Sequence, residues 1–413
     1  KKGESIIFSA GVSNVQPTKL KKMYDEELTK RTLRLDFFHC LKNAAQQFYN
    51  KKGSGDYLIA GYPWFHYRAR DEFVSLPASI IAFDNVNLFE SVMKTAQIAV
   101  HNFLNDEEPQ TQLAEVDSPD ALLWLVWAIQ QYALFTSNKQ AYDKYGELLN
   151  EVMLFILEKK HPRLFLQDNG LLSVNGRDQS ATWMNAVEYG YPITPRSGYV
   201  VEINALWYNA LRFMEQLVAE NVSQNEAEKW RSEALLAEGA FSKIFWNGNY
   251  LYDYVEGYDK NLEVRPNMIF AVSLPFSPLN KDRQKLVLDI VTRELLTPKG
   301  LRSLSPKSGS YRPQYIGGQL ERNRNYHNGP IWPWTLGAYA EAYLKIYKNS
   351  GIPFLERIMI GLENEMSELC IGTLPELFDG NPPYKGHGAM SFSMSVAEVL
   401  RTIQLLKKYK GEA

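Results

Sequence analysis

Glu376 stands in the segment Gly372-Thr373-Leu374-Pro375-Glu376-Leu377-Phe378-Asp379-Gly380-Asn381, a carboxylate between an apolar Leu-Pro step and a run of turn-forming residues. Partial burial there would hold the side chain in place. A carboxylate of that kind does acid–base chemistry when it has a second carboxyl as partner. Direct attack of water on a sugar acetal needs one protonated and one ionised group, roughly 6.5–9.5 Å apart. Taken alone, a single glutamate in a loop is more often a solvated or hydrogen-bonding residue, so its neighbours decide the matter.

Four other segments repeat the pattern of polar groups beside aromatics. In Tyr62-Pro63-Trp64-Phe65-His66-Tyr67-Arg68-Ala69-Arg70-Asp71 a rigid Pro-Trp step precedes an Arg-Asp pair. Arg70 and Asp71 supply the donor and the acceptor that vicinal sugar hydroxyls require, and Trp64 offers a ring face. The plainer reading is that Asp71 favours a helix start. Ser180 to Ala186 contains Trp183 and Asn185, and Thr194 to Asn209 contains Arg196 and then Glu202 and Asn204 at the opening of a helix. Those two polar groups either face a cleft or cap the helix. Arg322, Tyr326, His327, Asn328, Trp332 and Trp334 crowd the approach to a further helix, where His327 either orients a hydroxyl or is a satisfied structural histidine. No nucleophile-elbow serine, phosphate-binding glycine loop or helical His pair is present. An epimerase using convergent histidines would need two, and only His327 and His387 are candidates.

The elements that must position these groups are helical. Apolar residues recur at three- and four-residue spacing from about Thr18 through Leu33, Phe37, Leu41, Ala44, Ala45 and Phe48, which predicts one long helix ending near Gly53. Further helices are predicted over 71–82, 88–103, 120–135, 139–157, 201–219, 226–244, 266–272, 281–295, 331–347, 353–369 and 393–408. In Ser118-Pro119-Asp120 a capping hydroxyl precedes a Pro at the first helical position. Longer loops rich in Gly, Pro and Trp lie between alternate helices, over 60–70, 175–200, 301–330 and 372–388, and long ordered loops are usually functional. Six helix pairs with elaborate loops at one end predict an all-α fold, an (α/α)6 toroid enclosing a cleft. Ser5 to Val12 reads as a short strand, the tail of a preceding β-rich unit, so residues 1–17 are taken as that tail or linker and 18–413 as one domain.

Composition narrows the partners. The chain has 413 residues, 45% of them hydrophobic and 22% charged, with a net charge of -2 and no long basic stripe, which excludes wholesale disorder and makes nucleic acid an unexpected partner. No apolar run approaches the roughly 20 residues a membrane helix needs. Cys40 and Cys370 have neither metal-type spacing nor the number for a disulfide framework, which favours a reducing compartment, taken as the cytoplasm, or indifference to redox, and predicts no zinc site; no cofactor is expected. Tyr 24, Phe 20 and Trp 9 together make 13%, a surplus of the ring faces on which sugars stack. The chain opens Lys1-Lys2-Gly3 without Met, which reads as a portion of a longer protein.

In order, these segments resemble the C-terminal domain of glycogen debranching enzymes, the amylo-α-1,6-glucosidase family. The matching strings are GYPWF and RARDEF within 61–73, DALLW at 120–124, TWMNA at 182–186, TPRSGYVVEINALWYNAL at 194–211, RPNMIFAVSLP at 265–275, GLRSLSP at 300–306, YHNGPIWPW at 326–334, GTLPELFDGNPP at 372–383 and SVAEVLR at 395–401. The resemblance implies hydrolysis of α-1,6-linked glucose with inversion, an α-glucan or oligosaccharide substrate, no metal, and a preceding β-rich domain. It implies Glu376 as the general base, Arg70, Asp71, Asp120 and Trp332 lining the glucose pocket, and Trp64, Trp124, Trp183, Arg196, Glu202, Asn204 and His327 supporting it. The chain departs from the family pattern in three places. Asn185 stands where the family has the Asp that serves as general acid, Phe392 and Met394 replace a Gln and a Trp, and Asn323 replaces an Asp. An amide donates no useful proton near neutral pH. Either Glu188 or Asp178 takes over as acid, or the barrel binds glucan without cleaving it.

Overall fold

The computed structural model describes residues 4–10 and 14–412. Among the described residues there are fifteen α-helices: α1 (Leu20–Lys30), α2 (Phe37–Gln46), α3 (Ala69–Ser75), α4 (Pro77–Phe83), α5 (Asn87–Leu104), α6 (Ala121–Phe135), α7 (Asn138–Leu157), α8 (Val201–Asn221), α9 (Gln224–Phe245), α10 (Phe270–Ser273), α11 (Lys281–Leu295), α12 (Gln319–Asn325), α13 (Thr335–Tyr347), α14 (Ile352–Glu363) and α15 (Ser393–Lys410). Six of them form a closed circuit of contacts: α3 lies on α6, α6 on α8, α8 on α10, α10 on α13, α13 on α15, and α15 returns to α3. A second set lies against that circuit, with α2 and α14 on α15, α7 on α6 and α8, α9 on α8 and α11 on α13.

Sequence decides which set a helix joins. Helix α6, ALLWLVWAIQQYALF, is apolar nearly all round and is buried from Ala121 to Ala133, as a helix enclosed by others must be. Helices α7 and α9 instead bury one stripe and expose the opposite face, and their first turns are closed by Ser137 and Ser223, whose side chains accept from Gln140 N and Glu226 N. Trp207, Trp230, Trp334, Tyr132 and Tyr339 sit fully buried in a single continuous core.

The loops between these helices fold into short antiparallel ladders. One sheet joins Phe165–Leu166, Leu172–Val174, Gly198–Val200, Tyr254–Glu256 and Asp259–Lys260; a second joins Leu296–Thr297, Gly300–Arg302, Ile331–Trp332, Leu377–Phe378 and Gly386–His387. Ser391–Phe392 pairs with Gly61–Tyr62, tying the last loop to the first. Backbone pairing thus fixes the loops to one another.

Several expectations are corrected. Residues 4–10 form no strand, and residues 11 and 12, the end of the expected strand, lie outside the described residues. The single long first helix is two, because Asp36 is extended and its side chain accepts from His39 N, capping a new start at α2; Leu33, on the line of the apolar stripe, and nearby Leu35 are exposed. The chain from 331 begins as a strand rather than a helix, and α12 arises inside a segment that reads as loop. Ser118 does not cap α6 with its side chain; its hydroxyl accepts from Arg70 Nη2 at 2.7 Å.

Candidate active site

Glu376 leads into the strand Leu377–Phe378 and is 2% exposed. Its backbone N–H donates to Ala389 O at 2.9 Å, and the Ala389 N–H donates back to Oε2 at 2.7 Å, so the chain clamps the carboxylate on both sides. Gly388, at φ +75, completes the cradle: a Cβ there would lie 2.3 Å from Glu376 Oε2, so only glycine permits the carboxylate this position. The Tyr326 hydroxyl donates to Oε1. Trp64, Phe65, Tyr315, Arg322 and Tyr326 line a cleft of 610 Å³ around this carboxylate.

Burial pushes the Glu376 carboxyl up to about 7; the Tyr326 and Ala389 donors oppose the rise and the charge of Asp71 adds to it. A base that titrates near neutrality is strong enough to take a proton, and its ionised fraction grows as pH rises through that value. Because Tyr326 donates to the ionised form, removing its hydroxyl raises the carboxyl further. In Tyr326→Phe the acid limb of the pH–rate profile is expected to move to higher pH by about 1 unit. A limb left in place would show that the hydroxyl does not set the titration.

Helix α3 carries the neighbouring group. The Arg70 guanidinium grips Asp120 through Nε and Nη2, both at 2.7 Å, and Trp124 Nε1 donates to the same carboxylate at 3.3 Å. Both charges are nearly fully buried. Asp71, next on the helix and 5% exposed, is pushed up to about 6 by burial, against the pull of Arg68 and Arg70. Asp120→Ala would leave a buried guanidinium without its counter-charge. Denaturant titration is expected to show a loss of about 3–5 kcal/mol; a midpoint unchanged from the wild type would contradict it.

A second buried network supports the cleft. Arg196 bridges Glu202 and Asp253, with Nε to Asp253 Oδ2 at 2.6 Å and Nη2 to Glu202 Oε2 at 2.6 Å. Asn267 donates to Asp253 and accepts from Trp183 Nε1 at 2.8 Å. Trp183 therefore hangs from this network, meeting His327, Trp332 and Trp334 edge-on. His327 stacks on Trp332 at 5.3 Å and 16°. Burial, with Arg265, Arg196 and Arg70 nearby, holds its imidazole well below its ordinary pKa, so it is neutral. Trp332 Nε1 donates to Tyr326 O, which connects the aromatic group to the hydroxyl on Glu376.

The expected residues thus divide. Arg70, Asp71, Asp120 and Trp124 form one group, and Trp183, His327, Trp332 and Glu376 a second, linked through Tyr326, while Arg196 and Glu202 lie beneath as a buried salt bridge. Of the residues singled out, Trp64, Arg322, Asn323, Tyr326 and Glu376 line the open cleft. Asn204 is elsewhere in role: its amide exchanges bonds with Leu172 N and Leu172 O and fastens a strand to α8. Glu188 is paired with Arg324, Nε to Oε2 at 2.9 Å, which holds its carboxyl below the ordinary range, opposite to what a proton donor needs. Asp178 is exposed and accepts from Asn175. Asn185 is half-buried, its N–H bonded to Trp183 O at 3.0 Å. Phe392 meets Phe65 and Trp332 edge-on, filling space beside the tryptophan face. His387 faces Asp379 and Tyr315 rather than His327. Among the described residues no group of three His, Cys, Asp or Glu is placed to hold a metal, and no helix is long and apolar enough to cross a membrane.

The sequence places Tyr326 in a crowded string but gives it no role, because its partner lies 50 residues further on. The Ala389 N–H and Gly388 carry no signal of any kind.

Comparison with known proteins adds to this geometry. The family model described as amylo-alpha-1,6-glucosidase matches residues 42–401. The glycogen debranching enzyme of Saccharomyces cerevisiae is 26% identical over 221 residues, which cover 42% of this chain and 14% of that enzyme. Among solved structures, a GH63 mannosylglycerate hydrolase from Thermus thermophilus in complex with glucose has a TM-score of 0.62 at 14% identity, covering 89% of this chain and 99% of that one. A bacterial glucoamylase complexed with acarbose has a TM-score of 0.60 at 15% identity, covering 96% of this chain and 60% of that one. At these identities the structural likeness is one of fold.

Proposed function

The chain belongs to the amylo-alpha-1,6-glucosidase family, a glycosidase family, and from that premise we propose that it hydrolyses α-1,6-linked glucose with inversion, Glu376 acting as the base on water. The observation that carries this reading is the Glu376 carboxylate, buried in the wall of a cleft, clamped by Tyr326 and Ala389 and pushed up to about 7. Each of its oxygens keeps acceptor capacity for a water molecule after those two bonds are made. In the step itself the water oxygen bonds to the anomeric carbon, its proton passes to Glu376, and the bond to the leaving oxygen breaks.

The closed six-helix circuit is, in this reading, the inner ring of an (α/α)6 toroid, and the cleft opens at the end where the loop ladders gather. Residues 18–413 form the catalytic unit, and residues 1–17 lead to it from a β-rich domain. Asp71, fixed by its place beside the Arg70–Asp120 pair, accepts from a hydroxyl of the bound glucose. The leaving oxygen also needs a proton, and Asn185 has none to give. The proton comes from solvent, so turnover depends steeply on how readily the leaving group departs.

The amide at 185 favours a second reading, a barrel that holds glucan without cleaving it. Product stereochemistry separates the two: ¹H NMR of fresh hydrolysate should show β-glucose appearing first. Appearance of α-glucose would exclude inversion, and binding without any glucose would favour the second reading.

A further inference from the structure

The chain that follows Asn185 makes a hairpin whose sequence works against its own turn. Val187–Glu188 pairs antiparallel with Tyr191–Pro192, in register Val187 to Pro192 and Glu188 to Tyr191, leaving Tyr189 and Gly190 as a two-residue connection. Both have positive φ, 51° and 88°. That is the type I′ hairpin turn, in which the first position takes Asn or Asp because their short polar side chains tolerate left-handed backbone. Tyr189 gains nothing from burial to offset this cost: it is 83% exposed. Tyr191 is 64% exposed, and among the described residues neither ring stacks on another. Apart from an electrostatic interaction between Tyr189 and Arg324, the described residues make no use of either ring.

The hairpin's position supplies one. It is latched to α12, whose residues line the cleft that holds Glu376: Asn323, in the lining, donates through Nδ2 to Val187 O at 3.0 Å, and the next residue, Arg324, pairs with Glu188. Trp64, from a different loop, lines the same cleft and is 54% exposed. The hairpin is thus bonded to a residue of the cleft lining, and its two exposed phenol rings follow closely in sequence after the residue at the proton-donor position.

We propose that Tyr189 and Tyr191 form a stacking platform for the α-glucan chain on the leaving-group side of the scissile bond, so that this hairpin selects long branched substrates over short ones. The proposal rests on the glucosidase reading for its substrate class. Sugar rings present an apolar face to aromatic side chains, and a strained, exposed ring on a hairpin bonded to the lining of a glycosidase cleft is placed to use it.

Tyr189→Asn is a test that does not threaten the fold, since Asn-Gly is the preferred sequence for this turn. Its thermal midpoint should equal or exceed the wild type's. Affinity for a branched limit dextrin, measured by calorimetry on the full chain, should fall about fivefold to tenfold, with a similar fall in Tyr191→Ser. For α-glucosyl fluoride, which has no leaving-group sugar, kcat/KM should be unchanged in both. Unchanged dextrin affinity in both variants, or an equal loss on the fluoride, overturns the platform. So does a wild type that binds no dextrin. If the wild type binds dextrin but releases no glucose, the glucosidase reading fails while the affinities still decide the platform.

Discussion

Glu376→Gln is expected to lower glucose release from an α-1,6-branched limit dextrin by about 10³-fold, within the range that a positioned general base contributes. Gln matches Glu in shape, so the cradle formed by Gly388 and Ala389 stays filled. It keeps an oxygen for the Ala389 N–H to reach, and the Tyr326 hydroxyl can turn to accept from the amide. What it loses is the capacity to take a proton. The loss should fall on kcat, and it should be as deep on α-glucosyl fluoride as on dextrin, because water needs the base whatever group departs. A thermal midpoint close to that of the wild type separates this from unfolding. Retention of activity within tenfold on either substrate would remove Glu376 from the mechanism. A binding barrel makes the contrary forecast: no release before or after the change, and nearly the same affinity.

The comparison of Glu376 with Tyr326 shows what one-dimensional order carries. Glu376 is legible because its own neighbours, a Leu-Pro step before it and a turn after it, describe a carboxylate held in a loop. Tyr326 supplies the bond that tunes it, yet nothing in the order of residues connects the two. The ladder joining Ile331–Trp332 to Leu377–Phe378 is what brings their segments side by side.

The same division runs through the fold. Helices α5, α7, α8, α9, α11 and α15 can be read within a few residues because an amphipathic or wholly apolar period is a local property. The break at Asp36 is hidden because the apolar spacing continues across it, and only the exposure of Leu33 and Leu35 reveals that no core waits there. Ser118 looks like a cap for the same reason: the motif is local and correct in form, but Arg70, 48 residues earlier, takes the hydroxyl. Buried ion pairs such as Arg70–Asp120 and Arg196–Asp253 are the least legible features, since each charge alone reads as surface. Glu202 and Asn204 stand out in sequence as unusual polar groups at a helix start, but one belongs to a salt bridge and the other to a strand anchor. Glu188 is a candidate by proximity to Asn185 alone. In the hairpin its side chain falls to Arg324, and the pair keeps it ionised.

Asn185→Asp is the change expected to increase activity most. The substitution exchanges an amide for a carboxyl of the same size at a half-buried site whose backbone is already fixed by its bond to Trp183 O. Trp183 is itself held through Asn267 and the Arg196 network, so the new carboxyl inherits a rigid mount. On the proposed mechanism a carboxyl at 185 faces the same scissile bond as Glu376, and once Glu376 is ionised that like charge would make the new group hold its proton to higher pH than a solvated Asp. That is the division of roles that inverting hydrolysis demands, one carboxyl raised and protonated, the other ionised. Proton donation to a sugar leaving group is worth about 10²–10⁴-fold, so dextrin hydrolysis should rise by that order. Fluoride departs without a proton, so α-glucosyl fluoride turnover should change by no more than about twofold on the same reasoning. The pH–rate profile should acquire an alkaline limb that the wild type lacks, because activity would now require a group that must stay protonated. If dextrin hydrolysis does not rise, the donor position is not at 185, and Asp71, a buried carboxyl pushed up to about 6, becomes the group to mutate. If the wild type binds dextrin without turnover and Asn185→Asp releases β-glucose, the base, the pocket and the fold are all competent, and the amide at 185 alone separates binding from hydrolysis.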